Sequence, residues 1–171
     1  RNVRSTHLAF NDVNGCHIFN LDYSGDGVNY TGGAVPGHDT WVAGIIASRG
    51  WPGHETDIGA APGCNVYSAR IVSDLGNVGE QNLENAFSDL INNYNCRVFV
   101  IPLQFGDTAD GSSDFTKIAD YFAWNDNVIL ALAAGNINGG NMKITVFGDA
   151  YNGITTGTLV DEPNGFYSKV G

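Results

Sequence analysis

Residues 37–48 read G-H-D-T-W-V-A-G-I-I-A-S, from Gly37 through His38 to Ser48. Thr40 to Ser48 predicts a buried helix, which Gly50-Trp51-Pro52-Gly53 stops. His38 stands between a Gly-rich loop and this helix. The positive end of the helix dipole favours the neutral, proton-accepting imidazole, which suits a general base. Ala43 and Gly44, one turn on, let the helix pack closely against a sheet.

Outward from this helix, strand and helix signals alternate. Residues 16–21 (C-H-I-F-N-L) predict a short strand, followed by a loop from Asp22 to Gly37. Asn65–Val72 alternates apolar and polar residues as a half-buried strand does. Leu83, Ala86, Phe87, Leu90 and Ile91 fall at helical spacing within Glu80–Asn93. An apolar run at Arg97–Leu103 precedes an amphipathic stretch at Ser112–Trp124, and a second run occupies Val128–Ala133. This order predicts an α/β three-layer sandwich with a mostly parallel sheet joined by right-handed crossovers. Ligands collect at the carboxyl ends of strands in such sheets.

Composition narrows the function. The 171 residues carry 8 Lys+Arg against 18 Asp+Glu, a formal net charge of −10. So acidic a surface repels phosphate backbones and argues against nucleic-acid binding. The longest apolar runs fall far short of the ~20 residues of a membrane span, and no signal peptide opens the chain. Three cysteines, Cys16, Cys64 and Cys96, allow at most one internal pair and form no zinc-type spacing. Low lysine content, abundant Asn and the triplet Asn29-Tyr30-Thr31 point to an extracellular, secreted setting.

G-H-D-T-W-V-A-G-I-I-A-S resembles the segment that carries the catalytic histidine of subtilisin-like serine proteases, usually G-H-G-T-H-V-A-G-I. The resemblance continues in order. Ile58–Gly63 (I-G-A-A-P-G) with Asn65-Val66-Tyr67 is similar to the family's G-V-A-P-x-A-x-L-Y. Ile101–Gly106 (I-P-L-Q-F-G) stands where the family has I-N-M-S-L-G, and Ala131–Asn136 (A-L-A-A-G-N) resembles V-A-A-A-G-N. Gly165–Gly171 resembles the F-S-S-V-G stretch, and Ser5–Phe10 the x-x-H-P-x-F stretch.

The resemblance implies that His38 is the base and that the Asn136 carboxamide helps form an oxyanion hole. Gln104, Phe105, Gly106 and Gly135 then line the peptide-binding strand and cleft. The triad aspartate and serine lie outside the 171 residues, because no D-[ST]-G precedes Ser5 and no G-T-S occurs. Residues 1–171 are thus expected to be the central part of one catalytic domain, with an incomplete sheet completed by further segments or a partner chain. A polypeptide is the implied substrate. The alternative is a catalytically inactive subtilase-fold module of an extracellular assembly.

Several positions depart from the family pattern. Asp39 replaces a Gly, and Trp41 replaces a His and is expected to serve packing. Pro102 is awkward in a central strand, and Gln104 replaces a small Ser, which narrows the cleft. Asp22–Gly27 imitates the opening of a calcium loop, but Gly33 stands where an EF-hand needs its glutamate. A structural calcium ion is the one cofactor left open. A metal-dependent hydrolase built on His38, Asp39, His54 and Asp57 is a third reading, weakened because H-E-T-D lacks the second His of H-E-x-x-H and reads as an exposed loop.

Overall fold

Short strand pairs and two parallel sheets organise the chain, a computed structural model describing residues 2–12, 15–28, 37–104, 109–136, 144–161 and 167–170. Two compact units divide it, Arg1–Ala86 and Phe87–Gly171.

The first unit opens with a 3-10 turn at Leu8–Phe10, capped by the His7 ring, whose Nδ1 accepts from the Ala9 amide at 3.2 Å. Strands β1 (Asn11–Asp12) and β2 (Gly15–Cys16) form a small antiparallel pair. Strand β3 (Ile18–Asp22) and, much later, β6 (Val66–Arg70) run parallel in the register Ile18↔Val66 to Asp22↔Arg70. A parallel pair needs a crossover. Here it contains helix α1 (His38–Ala47) and an antiparallel hairpin of β4 (Arg49–Trp51) and β5 (His54–Ile58). Val3, Ala9, Phe10, Ile18 and Ala43 form the core, with Cys16, Trp51 and Val66 against it.

The I-G-A-A-P stretch has a local task. A helix leaves its last carbonyls unpaired, and the amides of Ala60 and Ala61 donate to the Ile45 and Ile46 carbonyls at 2.9 and 2.7 Å. So close an approach leaves no room for a side chain at Gly59, where a Cβ would lie 2.7 Å from the Ile46 carbonyl oxygen.

Helix α2 (Glu80–Asn92) crosses the division between the units and buries Leu83, Ala86, Phe87, Leu90 and Ile91, the spacing its sequence predicts. In the second unit, β7 (Val98–Ile101), β8 (Ile129–Ala133) and β9 (Ile154–Thr156) form a parallel sheet in the order β7-β8-β9. Val98 pairs with Ile129 and Ala131 with Ile154. Helix α3 (Asp114–Asn125) connects β7 to β8, its Ser113 hydroxyl capping the Thr116 amide at 3.0 Å. Phe87 sits 4.8 Å from both Phe99 and Phe122, centroid to centroid, so α2, β7 and α3 share one aromatic core. Strands β10 (Thr158–Asp161) and β11 (Tyr167–Val170) pair antiparallel.

Three sequence expectations need correction. Residues 54–57 form a strand and not a loop, because Gly50 and Gly53 adopt φ of 73° and 85° and turn the chain back on itself. Trp41 does not pack: it is 74% exposed. Ala43 and Ala47 form the buried face of α1, and Trp41 with Ile45, also four residues apart, lies on the other side. The strand expected over Arg97–Leu103 is shorter and stops before Pro102, which cannot donate to a ladder.

Candidate active site

His38 is the first residue of α1 and half-buried. Gly37 before it has φ 84°, a left-handed conformation that glycine enters without a Cβ clash. The helix starts directly after this residue, with His38 in its first turn. Asp39 supplies a negative charge in the first turn, complementing the dipole. The Thr40 hydroxyl oxygen accepts from the Arg4 amide at 2.9 Å, fixing that turn to the start of the chain.

In the second unit, β7 and β8 are neighbours in register, and the segments leaving their carboxyl ends carry Gln104, Gly135 and Asn136. The Asn136 backbone N–H donates to Gln104 Oε1 at 2.6 Å. Further contacts hold the Asn136 segment from behind: the Ala134 amide donates to the Thr156 carbonyl at 2.9 Å, and the Thr145 amide donates to the Ala134 carbonyl at 3.0 Å. Gly135 has φ 105°, and a Cβ there would lie 2.6 Å from Thr145 Oγ1. Asn136 is exposed, whereas Gln104 and Gly135 are half-buried. The carboxyl ends of the strands are the edge of an α/β sheet where ligands collect, and a carboxamide is a neutral group able to donate a hydrogen bond.

Three of the expected site residues, Gln104, Gly135 and Asn136, are therefore together. His38 belongs to the other unit and is described by itself. Phe105, Gly106 and the Asn29–Thr31 triplet lie outside the described residues. Thr145 and Thr156 are braces that sequence reasoning missed; they fall in a stretch without a recognisable motif.

The turn at Asp22–Gly27 is built by the protein's own donors. Asp22 accepts from the Ser24 hydroxyl at 2.6 Å and from the amides of Ser24, Gly25 and Gly27 at 3.2, 3.1 and 3.0 Å. Burial pushes its carboxyl up, but these hydrogen bonds outweigh it and hold the pKa below the usual value. Arg70, 1% exposed, donates to the carbonyls of Gly27 and Val72 and to the carboxylates of Asp26 and Asp74 at 2.8–3.1 Å. With Asp22 and Asp26 so engaged, this turn does not fit a calcium ion.

His54 Nδ1 lies 2.9 Å from Asp57 Oδ2, and the ring stacks on Trp51. Among the described residues no group of three or more His, Cys, Asp or Glu side chains is arranged to hold a metal. Cys16, Cys64 and Cys96 are free thiols.

The model of the Subtilase family matches residues 3–167. No curated protein matches the chain. Among solved structures it is similar to Sphericase, with a TM-score of 0.69 and 21% identity over 99% of this chain and 55% of that one. It is also similar to a mutant of the protease domain of PatA, at 0.69 and 21% over 94% and 55%. A psychrophilic protease gives 0.63 and 23% over 90% and 56%. The chain spans little more than half the length of these structures, whose fold it shares.

Proposed function

The chain belongs to the subtilase family, and from that premise we propose that it is the central part of a serine endopeptidase catalytic domain that hydrolyses peptide bonds. The observation that carries the proposal is the grouping of Gln104, Gly135 and Asn136 at the carboxyl ends of β7 and β8. In this reading His38 is the base and Asn136 is an oxyanion donor. His38 takes the proton of a serine hydroxyl supplied from outside the 171 residues as that oxygen attacks the scissile carbonyl. It then delivers the proton to the departing amine. The Asn136 carboxamide donates to the oxyanion of the tetrahedral intermediate. The resemblance assigns Gln104, Phe105, Gly106 and Gly135 to the bound peptide.

The uncovered face of the β7-β8-β9 sheet supports the incomplete-domain reading. Val98, Val100, Ile129 and Ile154 are 45–63% exposed there. Parallel sheets are normally covered on both faces, so further segments of the same domain would seal this one. Secretion of the parent protein goes with the family and with the composition. Among the described residues no helix is long and apolar enough to cross a membrane.

A second reading, a catalytically inactive binding or structural module with the subtilase fold, draws on Gln104. Its side chain spans the two strand ends where the family has a small Ser.

A fluorophosphonate serine-hydrolase probe applied to the full-length protein separates the two. Labelling of one serine that His38→Ala abolishes is the result expected of the peptidase. No labelling of an intact, folded full-length protein would establish the module instead.

A further inference from the structure

We infer that Gln104 is a positioning residue for Asn136, a strap that fixes the oxyanion-donor segment by accepting its backbone N–H across the crevice between β7 and β8. The inference rests on the reading of Asn136 given above and adds to it the residue that orients the donor.

The geometry argues for a strap. Asn136 is exposed, so without a protein partner its amide would be hydrated. Two contacts brace the segment on its β9 side: Ala134 to Thr156, and Thr145 back to Ala134. Both act before Gly135, a residue at φ 105° with wide conformational freedom. A brace that ends before a glycine does not fix the residue after that glycine. Gln104 acts beyond it, at 2.6 Å, from the neighbouring strand's extension. Together the contacts hold Asn136 from both sides, which is what preorganisation of a donor requires.

A side chain of this length is also needed. Parallel strands are about 4.8 Å apart, and Gln104 and Asn136 lie beyond the last paired residues, Ile101 and Leu132. Gln reaches across this gap and presents a carbonyl oxygen, an acceptor with no charge. A carboxylate at the same place would put a negative charge beside a developing oxyanion.

The test uses the full-length protein with Gln104→Met, which keeps the length and removes the acceptor, and Gln104→Glu, which restores an acceptor. Hydrogen exchange of the Asn136 amide is followed by NMR, and kcat and KM are measured on a peptide substrate. Gln104→Met should speed exchange at Asn136 by about tenfold, the scale of one lost hydrogen bond. It should lower kcat by a similar factor with KM nearly unchanged. Gln104→Glu should return the amide to slow exchange.

In an active protein, an Asn136 amide indifferent to Gln104→Met overturns the strap. A responsive amide with unchanged kcat overturns the positioning role while leaving the contact. A responsive amide in a folded wild-type protein that hydrolyses nothing overturns the peptidase reading, and the catalytic role of Gln104 with it.

Discussion

Gln104 and Asn136 are 32 positions apart in sequence, yet the side-chain oxygen of one accepts the backbone N–H of the other at 2.6 Å. Parallel pairing of β7 with β8, Ile101 opposite Leu132, is what delivers both to the same end of the sheet. Local sequence has no part in bringing them together. The contact joins a residue that departs from the subtilase pattern to the one proposed to stabilise charge, so variation at 104 is expected to be felt at 136.

Replacing Asn136 by Ala in the full-length protein should lower kcat by about 10²–10³ with a much smaller change in KM. Removal of one oxyanion-hole donor in a subtilisin has an effect of this size. Steady-state kinetics on a chromogenic peptide read it. A fall confined to KM would assign Asn136 to ground-state binding instead.

Gly135→Ala should destabilise the second unit by about 2 kcal/mol, since it places a Cβ 2.6 Å from Thr145 Oγ1 and at a φ that L-residues avoid. Thr145→Ala in the same chain removes the colliding atoms and should recover part of the loss, leaving the backbone cost. Urea unfolding of the single and double variants measures both. An additive double variant would show that the clash is relieved elsewhere.

Arg70→Met should cost about 3 kcal/mol. The guanidinium is buried and satisfies two carbonyls as well as the carboxylates of Asp26 and Asp74. Those carboxylates are 34% and 49% exposed and can rehydrate, which keeps the cost below that of a fully buried pair. Arg70→Lys should recover less than half, because one ammonium cannot reproduce the fork. Thermal and urea denaturation provide the comparison, and equal stability of the Lys variant and wild type would contradict it.

Asp22 sets a pH dependence. Its folded-state pKa lies below the ordinary value of 3.8, so its contribution to stability is complete above that value and is lost as pH falls through the lower folded one. Asp22→Asn should therefore be less stable than wild type by roughly 1 kcal/mol at neutral pH. The gap should close as pH falls through the lowered folded-state value. A gap that stayed constant throughout the acid titration would mean that the charge of Asp22 contributes nothing.

The sequence determined the elements whose cause is local. Helix α2 obeys the spacing of Leu83, Ala86, Phe87, Leu90 and Ile91, and all five are buried. Gly37 sets the entry to α1. The motifs around His38 and Asn136 carried the family, and the alternation of strand and helix carried the parallel arrangement. Such features depend on residues within a few positions of one another, so a linear reading reaches them.

Tertiary structure alone decided the rest. Only packing could show that Trp41 lies outside while Ala43 and Ala47 face inward, because a helix of apolar residues has no polar side to mark its exposed one. Only the fold could bury Arg70 among acceptors drawn from residues 26–74, or place Thr145 against Gly135. The same is true of the join between Gln104 and Asn136. Contacts of this kind depend on how crossovers return the chain to the sheet, and no spacing within a short window encodes the three-dimensional position of the return.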